Sequence, residues 1–66
     1  MSFVPMVKVE GKFYPNGLRF ATYEEAFKYA KDLFYRWTAT SDYRADESTD
    51  PVNARFFNNA VEYLDA

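Results

Sequence analysis

Asp42, Asp46, Glu47 and Asp50 form the densest acidic run of the chain, and their residue types could do chemistry. Carboxylates collect hard cations, and paired carboxylates share acid and base roles in glycoside hydrolysis. Neither use fits this run. A calcium loop alternates its acids around a central glycine, and no Gly lies between residues 42 and 50. A hydrolase needs a cleft around its two acids, and 66 residues leave little room for one. The chain has no His and no Cys, which removes the usual neutral-pH base, the commonest metal ligand and the thiolate nucleophile. Its two glycines, Gly11 and Gly17, build neither a phosphate loop nor a dinucleotide fingerprint. The expectation is a non-enzyme with no cofactor and no metal, whose acidic run is a solvated loop.

Binding chemistry is better represented. Arg19, Lys28, Lys31, Arg36, Arg44 and Arg55 are interleaved with Tyr29, Tyr35, Trp37 and Tyr43. A sheet presenting aromatic rings beside basic residues can stack single-stranded bases. Two facts weigh against that use. Trp37 and Tyr43 fall at positions that also read as core, and the net charge is −2, whereas nucleic-acid binding draws on a positive excess. A third patch is Asp50-Pro51-Val52-Asn53 with Arg55. It reads as a rigid turn whose Asx side chains satisfy backbone groups, with Arg55 or Arg44 pairing Asp50. The competing reading is a recognition loop.

The element that must position these residues is a helix over residues 22–37. Tyr23, Ala26, Phe27, Ala30, Leu33, Phe34 and Trp37 lie on one stripe of a 3.6-residue helix. Thr22 and Glu25 have the spacing of a capping box, and Glu24 and Glu25 place negative charge at the positive end of the helix dipole. Glu24–Lys28, Lys28–Asp32 and Asp32–Arg36 are spaced i, i+4 on the outer face. Tyr29 and Tyr35 fall on the flanks of the stripe, either covering the edge of the core or anchoring a partner.

The remaining segments are short. Residues 3–9 alternate as a half-buried strand, with Pro5 restricting the first part to an edge or a strand start. Glu10-Gly11 turns the chain into Lys12-Phe13-Tyr14, or Gly11 is a bulge in one longer strand. Pro15-Asn16-Gly17 is a turn in which Asn and Gly can take positive φ. Leu18-Arg19-Phe20 is a short strand, residues 42–47 are another with Tyr43 and Ala45 on one face, and residues 46–50 are a loop. Residues 51–64 support two readings. Asp50-Pro51 is a good helix start, and Phe57, Ala60, Val61 and Leu64 keep helical spacing. Asn58-Asn59 instead makes a two-residue hairpin turn, which is preferred because two adjacent Asn are unfavourable inside a helix.

Sixty-six residues make one domain, 1–66, with a marginal core. No disulfide can support it, and the compensation is aromatic: seven Phe, six Tyr and one Trp. That is more aromatic surface than one helix and a small sheet need, so some of it is expected to be exposed or covered by a partner or another copy. Charge is uneven. Lys8, Lys12 and Arg19 against Glu10 give the first 21 residues a net +2, the helix balances, and residues 38–50 carry −3. There is no signal-peptide pattern and no apolar run long enough to cross a membrane, so the expected location is the cytoplasm.

Asn16-Gly17-Leu18-Arg19-Phe20-Ala21-Thr22, Glu24-Glu25-Ala26, Tyr29-Ala30, Asp32-Leu33, Arg36-Trp37, Asp42, Arg44 and Asp50-Pro51-Val52-Asn53 with Arg55 resemble a family of short tailed-bacteriophage and prophage proteins. The resemblance covers about residues 16–55. That family carries no assigned activity, so the resemblance implies an origin, the cytoplasm of an infected bacterium, and no mechanism.

The fold expected is α+β: one amphipathic helix on a small antiparallel sheet of three to four strands, in the order ββαβ(β). Phe27, Ala30, Leu33, Phe34 and Trp37 are expected to meet Val7, Val9, Phe13, Leu18 and Phe20. The function expected is a non-enzymatic interaction module that binds and modulates a host or phage protein. Its expected contact residues are Tyr29, Tyr35, Arg36, Arg44 and Arg55, since Tyr and Arg carry interface energy. The alternatives are a single-stranded nucleic-acid binder and a structural subunit or homo-oligomer within a larger assembly.

Overall fold

The computed structural model describes residues 1–64. The elements are β1 (Ser2–Val9), β2 (Lys12–Pro15), α1 (Tyr23–Arg36), β3 (Thr40–Ser48), β4 (Ala54–Phe57) and β5 (Ala60–Tyr63). One helix therefore packs on antiparallel strands, as expected, with one strand more than the sequence suggested.

The helix starts where its cap predicts. Thr22 is extended (φ −126°, ψ 151°), its Oγ1 accepts the Glu25 N–H at 3.2 Å, and its hydroxyl donates to Glu25 Oε1 at 2.9 Å. Glu24–Lys28 and Asp32–Arg36 pair as spaced, while Lys28–Asp32 does not: Lys28 goes to Glu24. The helix ends one residue earlier than expected. Trp37 is extended (φ −114°, ψ 103°), and both the amide and the hydroxyl of Thr40 hydrogen-bond its carbonyl. Leaving helical geometry carries Trp37 off the stripe, so it is 44% exposed and is not a core residue.

β1 is central, between β2 and β3. Its hairpin with β2 turns at Glu10 (φ 51°) and Gly11 (φ 83°). Pro5 sits in this central strand, against the expectation of an edge. Backbone groups alternate sides along a strand. The N–H of Phe3 points to the β2 side, where it bonds the Phe20 carbonyl at 2.8 Å, so the missing N–H of Pro5 points there too. At that level β2 has ended at Pro15 and the chain has left β1, so nothing waits for a donor. Asn16 makes this departure with an Asx turn, its Oδ1 accepting the Leu18 N–H at 3.0 Å, and neither Asn16 nor Gly17 needs positive φ.

Phe20 joins the two halves of the sheet. It exchanges two backbone hydrogen bonds with Phe3 and bridges Ala54 in parallel, so β1 has β3 on one edge and, on the other, β2 followed by Phe20, with β4-β5 beyond Phe20. Asn53 reinforces the seam. Its Oδ1 accepts the Arg19 N–H at 2.8 Å, and its Nδ2 donates to the Gly17 carbonyl at 2.9 Å. Asp50 accepts from Arg19 Nε at 3.1 Å, and its carbonyl accepts the buried Ser2 hydroxyl at 2.7 Å. The Asp50–Asn53 turn thus has the structural role. Its cation is Arg19, because Arg44 bonds Asp46 and Arg55 bonds Glu62.

The helix covers β1, β3 and β4. Phe20 is fully buried beneath it, with Leu18, Ala26, Ala45 and Ala54. Phe27 and Phe34 close on Tyr43, at 5.3 and 5.0 Å between ring centroids. Phe13 was expected in this core and lies instead on the opposite sheet face. It pairs with Lys8, and Arg44 stacks on its ring 4.1 Å from the centroid. β3 also runs to Ser48, so residues 46–48 are strand rather than loop. The hairpin reading of the last segment holds: Asn58 and Asn59 both take positive φ (52° and 59°).

Candidate functional site

The outer flank of α1 carries Lys28, Lys31, Asp32 and Tyr35 at i, i+3, i+4 and i+7, a second stripe beside the apolar one. The β4–β5 hairpin docks alongside. Ala54 and Phe56 alternate toward the helix, and Phe56 packs edge-on against Tyr29, with centroids 5.6 Å apart. Between this flank and the hairpin lies a cleft of about 300 Å³, lined by Lys28, Lys31, Asp32, Tyr35, Phe56 and Asn59.

The Phe56 ring supplies an apolar surface here. Lys28 is paired with Glu24 at 3.3 Å, and Asp32 with Arg36 at 2.9 Å. Among the described residues Lys31 has no ion pair, so the cleft keeps one uncompensated positive charge. Tyr35 is 70% exposed and offers a ring and a hydroxyl. This set can bind: an aromatic anchor, an ammonium, an amide and an apolar floor.

The five expected contact residues are not gathered into one patch. Tyr35 lines the cleft, and Arg36 is beside it through Asp32. Tyr29 is half-buried below, between Phe20 and Phe56. Arg44 lies on the sheet face away from the helix, bonded to Asp46 at 3.0 Å. Arg55 lies on the outer face of the hairpin, where both of its nitrogens Nε and Nη2 reach both oxygens of Glu62 at 2.7–3.2 Å. These bonds pull the Glu62 carboxyl below its ordinary value and raise that of Arg55.

The aromatic platform expected for base stacking is also dispersed. Tyr43 turns its ring to the helix, and Phe13, which does face outward, is covered by Arg44 between Asp42 and Asp46. Among the described residues no three His, Cys, Asp or Glu side chains gather to hold a metal ion, and no helix is long and apolar enough to cross a membrane. From the sequence, Lys31 stood out only as a member of the basic set, and Lys28 also as a member of the i, i+4 charge pairs. Their spacing with Tyr35 was readable, whereas Phe56 and Asn59 join them only through the docking of the hairpin. Comparison with protein-family models, with curated proteins and with solved structures finds no match to this chain.

Proposed function

We propose that this chain is a non-enzymatic interaction module that binds another protein through the cleft between α1 and the β4–β5 hairpin, and so alters that protein's behaviour. The observation that carries the reading is Tyr35, an exposed aromatic ring on the wall of a concave site beside the unpaired Lys31. Aromatic anchors rimmed by charge are the usual centres of interface energy. The likeness of residues 16–55 to short tailed-phage proteins supports a bacterial host or phage protein as the target, met in the host cytoplasm.

The test is capture from bacterial lysate on the tagged chain, with and without nuclease. The expected result is a protein that survives nuclease treatment and is lost with Tyr35→Ala. Recovery of nucleic acid alone, with binding that falls steeply as salt rises, overturns the reading in favour of a single-strand binder.

A further inference from the structure

β5 is an open sheet edge, and its alternation identifies which groups it offers. The pair flanking a two-residue turn, Phe57 and Ala60, is hydrogen-bonded inward, as are Arg55–Glu62 and Asn53–Leu64. The Leu64 N–H does donate to the Asn53 carbonyl at 2.9 Å. The N–H and C=O groups of Val61 and Tyr63 therefore point outward, and among the described residues nothing pairs with them.

Edge strands ordinarily carry a device against pairing, such as charge, proline or a bulge. β3, the edge at the other end of the sheet, carries Asp42, Arg44, Asp46 and Glu47. β5 has no Lys, Pro or bulge. Its one charge, Glu62, is already held by Arg55, and Tyr63 is 76% exposed.

We propose that β5 is the contact through which two copies of this chain pair, edge to edge and antiparallel about a twofold axis at Glu62. The occupant is a second copy because the edge complements itself. The register centred on Glu62 overlaps residues 60–64 and stops short of the left-handed Asn59. On the helix side it sets Val61 opposite Tyr63 of the second copy twice, an aromatic–β-branched pair that favours sheets. On the outer side it sets Ala60 opposite Leu64. The outward groups of Val61 and Tyr63 then supply four backbone hydrogen bonds. The two Glu62 side chains meet at the axis, each still bridged by its own Arg55. The two sheets become one continuous sheet. This pairing stands independently of the cleft reading above.

The test is sedimentation equilibrium of the full chain over about a hundredfold range of concentration, together with two single-cysteine variants in a chain that has no cysteine of its own. The expected mass rises to twice that of one chain. Tyr63→Lys weakens pairing about tenfold or more, by removing two cross-strand pairs and adding charge to the edge. Directly opposed residues have Cβ atoms about 4.5–5.5 Å apart, so Glu62→Cys should form a disulfide with its own copy under oxidised glutathione far faster than Thr49→Cys on an exposed turn. A chain that stays monomeric throughout, a dimer indifferent to Tyr63→Lys, or equal cross-linking of the two cysteine variants would each overturn the proposal.

Discussion

The Glu25 carboxylate bonds the backbone of Phe56, 31 residues away: the Phe56 N–H donates to Oε2 at 3.0 Å. Oε1 meanwhile accepts the Thr22 hydroxyl. One side chain thus completes the helix cap and closes the side of β4 that projects past Phe20 and would otherwise hold an unpaired donor. Thr22→Ala should cost about 1 kcal/mol, as caps do. Glu25→Ala should cost more, about 2 kcal/mol, because it also orphans a half-buried N–H. Urea unfolding measures both, and amide exchange at Phe56 should accelerate in Glu25→Ala but not in Thr22→Ala.

The fully buried Phe20 is both the largest core side chain and the residue that joins the two parts of the sheet. Phe20→Ala should cost about 3–5 kcal/mol, close to the whole stability of a chain this small. The expected outcome is loss of the cooperative thermal transition in circular dichroism. Phe20→Leu keeps most of the volume and the backbone bridge, and should retain a transition at lower temperature.

Glu10 takes φ 51° at the β1–β2 turn, a left-handed conformation that side chains other than Asn and Gly adopt at a cost. Glu10→Asn should therefore stabilise the chain by about 0.5–1 kcal/mol. A fall in the urea midpoint would show that the Glu10 side chain has a compensating role. At the second hairpin the same rule runs the other way: Asn59→Val, at φ 59°, should destabilise by about 1–2 kcal/mol.

What could be read from the sequence was local. The Thr22 cap, the α1 stripe and the Asn58-Asn59 turn are each written within a few residues, and each appears where its spacing puts it. What could not be read depends on contacts across the chain. Phe13 alternates as a core residue should, yet the hairpin register sets it on the Lys8 side of the sheet. Trp37 has helical spacing, but the turn through Thr40 ends the helix first. The partner of Asp50 was open between Arg44 and Arg55 because no local rule brings Arg19 to it. The cleft is legible by half: Lys28, Lys31 and Tyr35 share a helix flank by periodicity, while Phe56 and Asn59 arrive only with the docked hairpin.

Arg55 and Glu62 set how the hairpin responds to acid. Four contacts of 2.7–3.2 Å hold the Glu62 carboxyl below its ordinary value, its hydrogen bonds from Arg55 being the main cause. A carboxyl whose folded value is depressed binds fewer protons folded than unfolded, so it contributes stability above its unfolded value and loses it as pH falls through the folded one. The pair should therefore support the hairpin undiminished at neutral pH and fade below about pH 4. Both groups are solvent-exposed, so the effect is small and screened by salt. Glu62→Gln removes the charge and keeps the shape. The difference in urea midpoint between the parent chain and this variant should be largest near pH 7, shrink toward pH 3, and narrow when salt is added. A difference that stays constant with pH would mean that the two side chains act through packing on Phe57 rather than through charge.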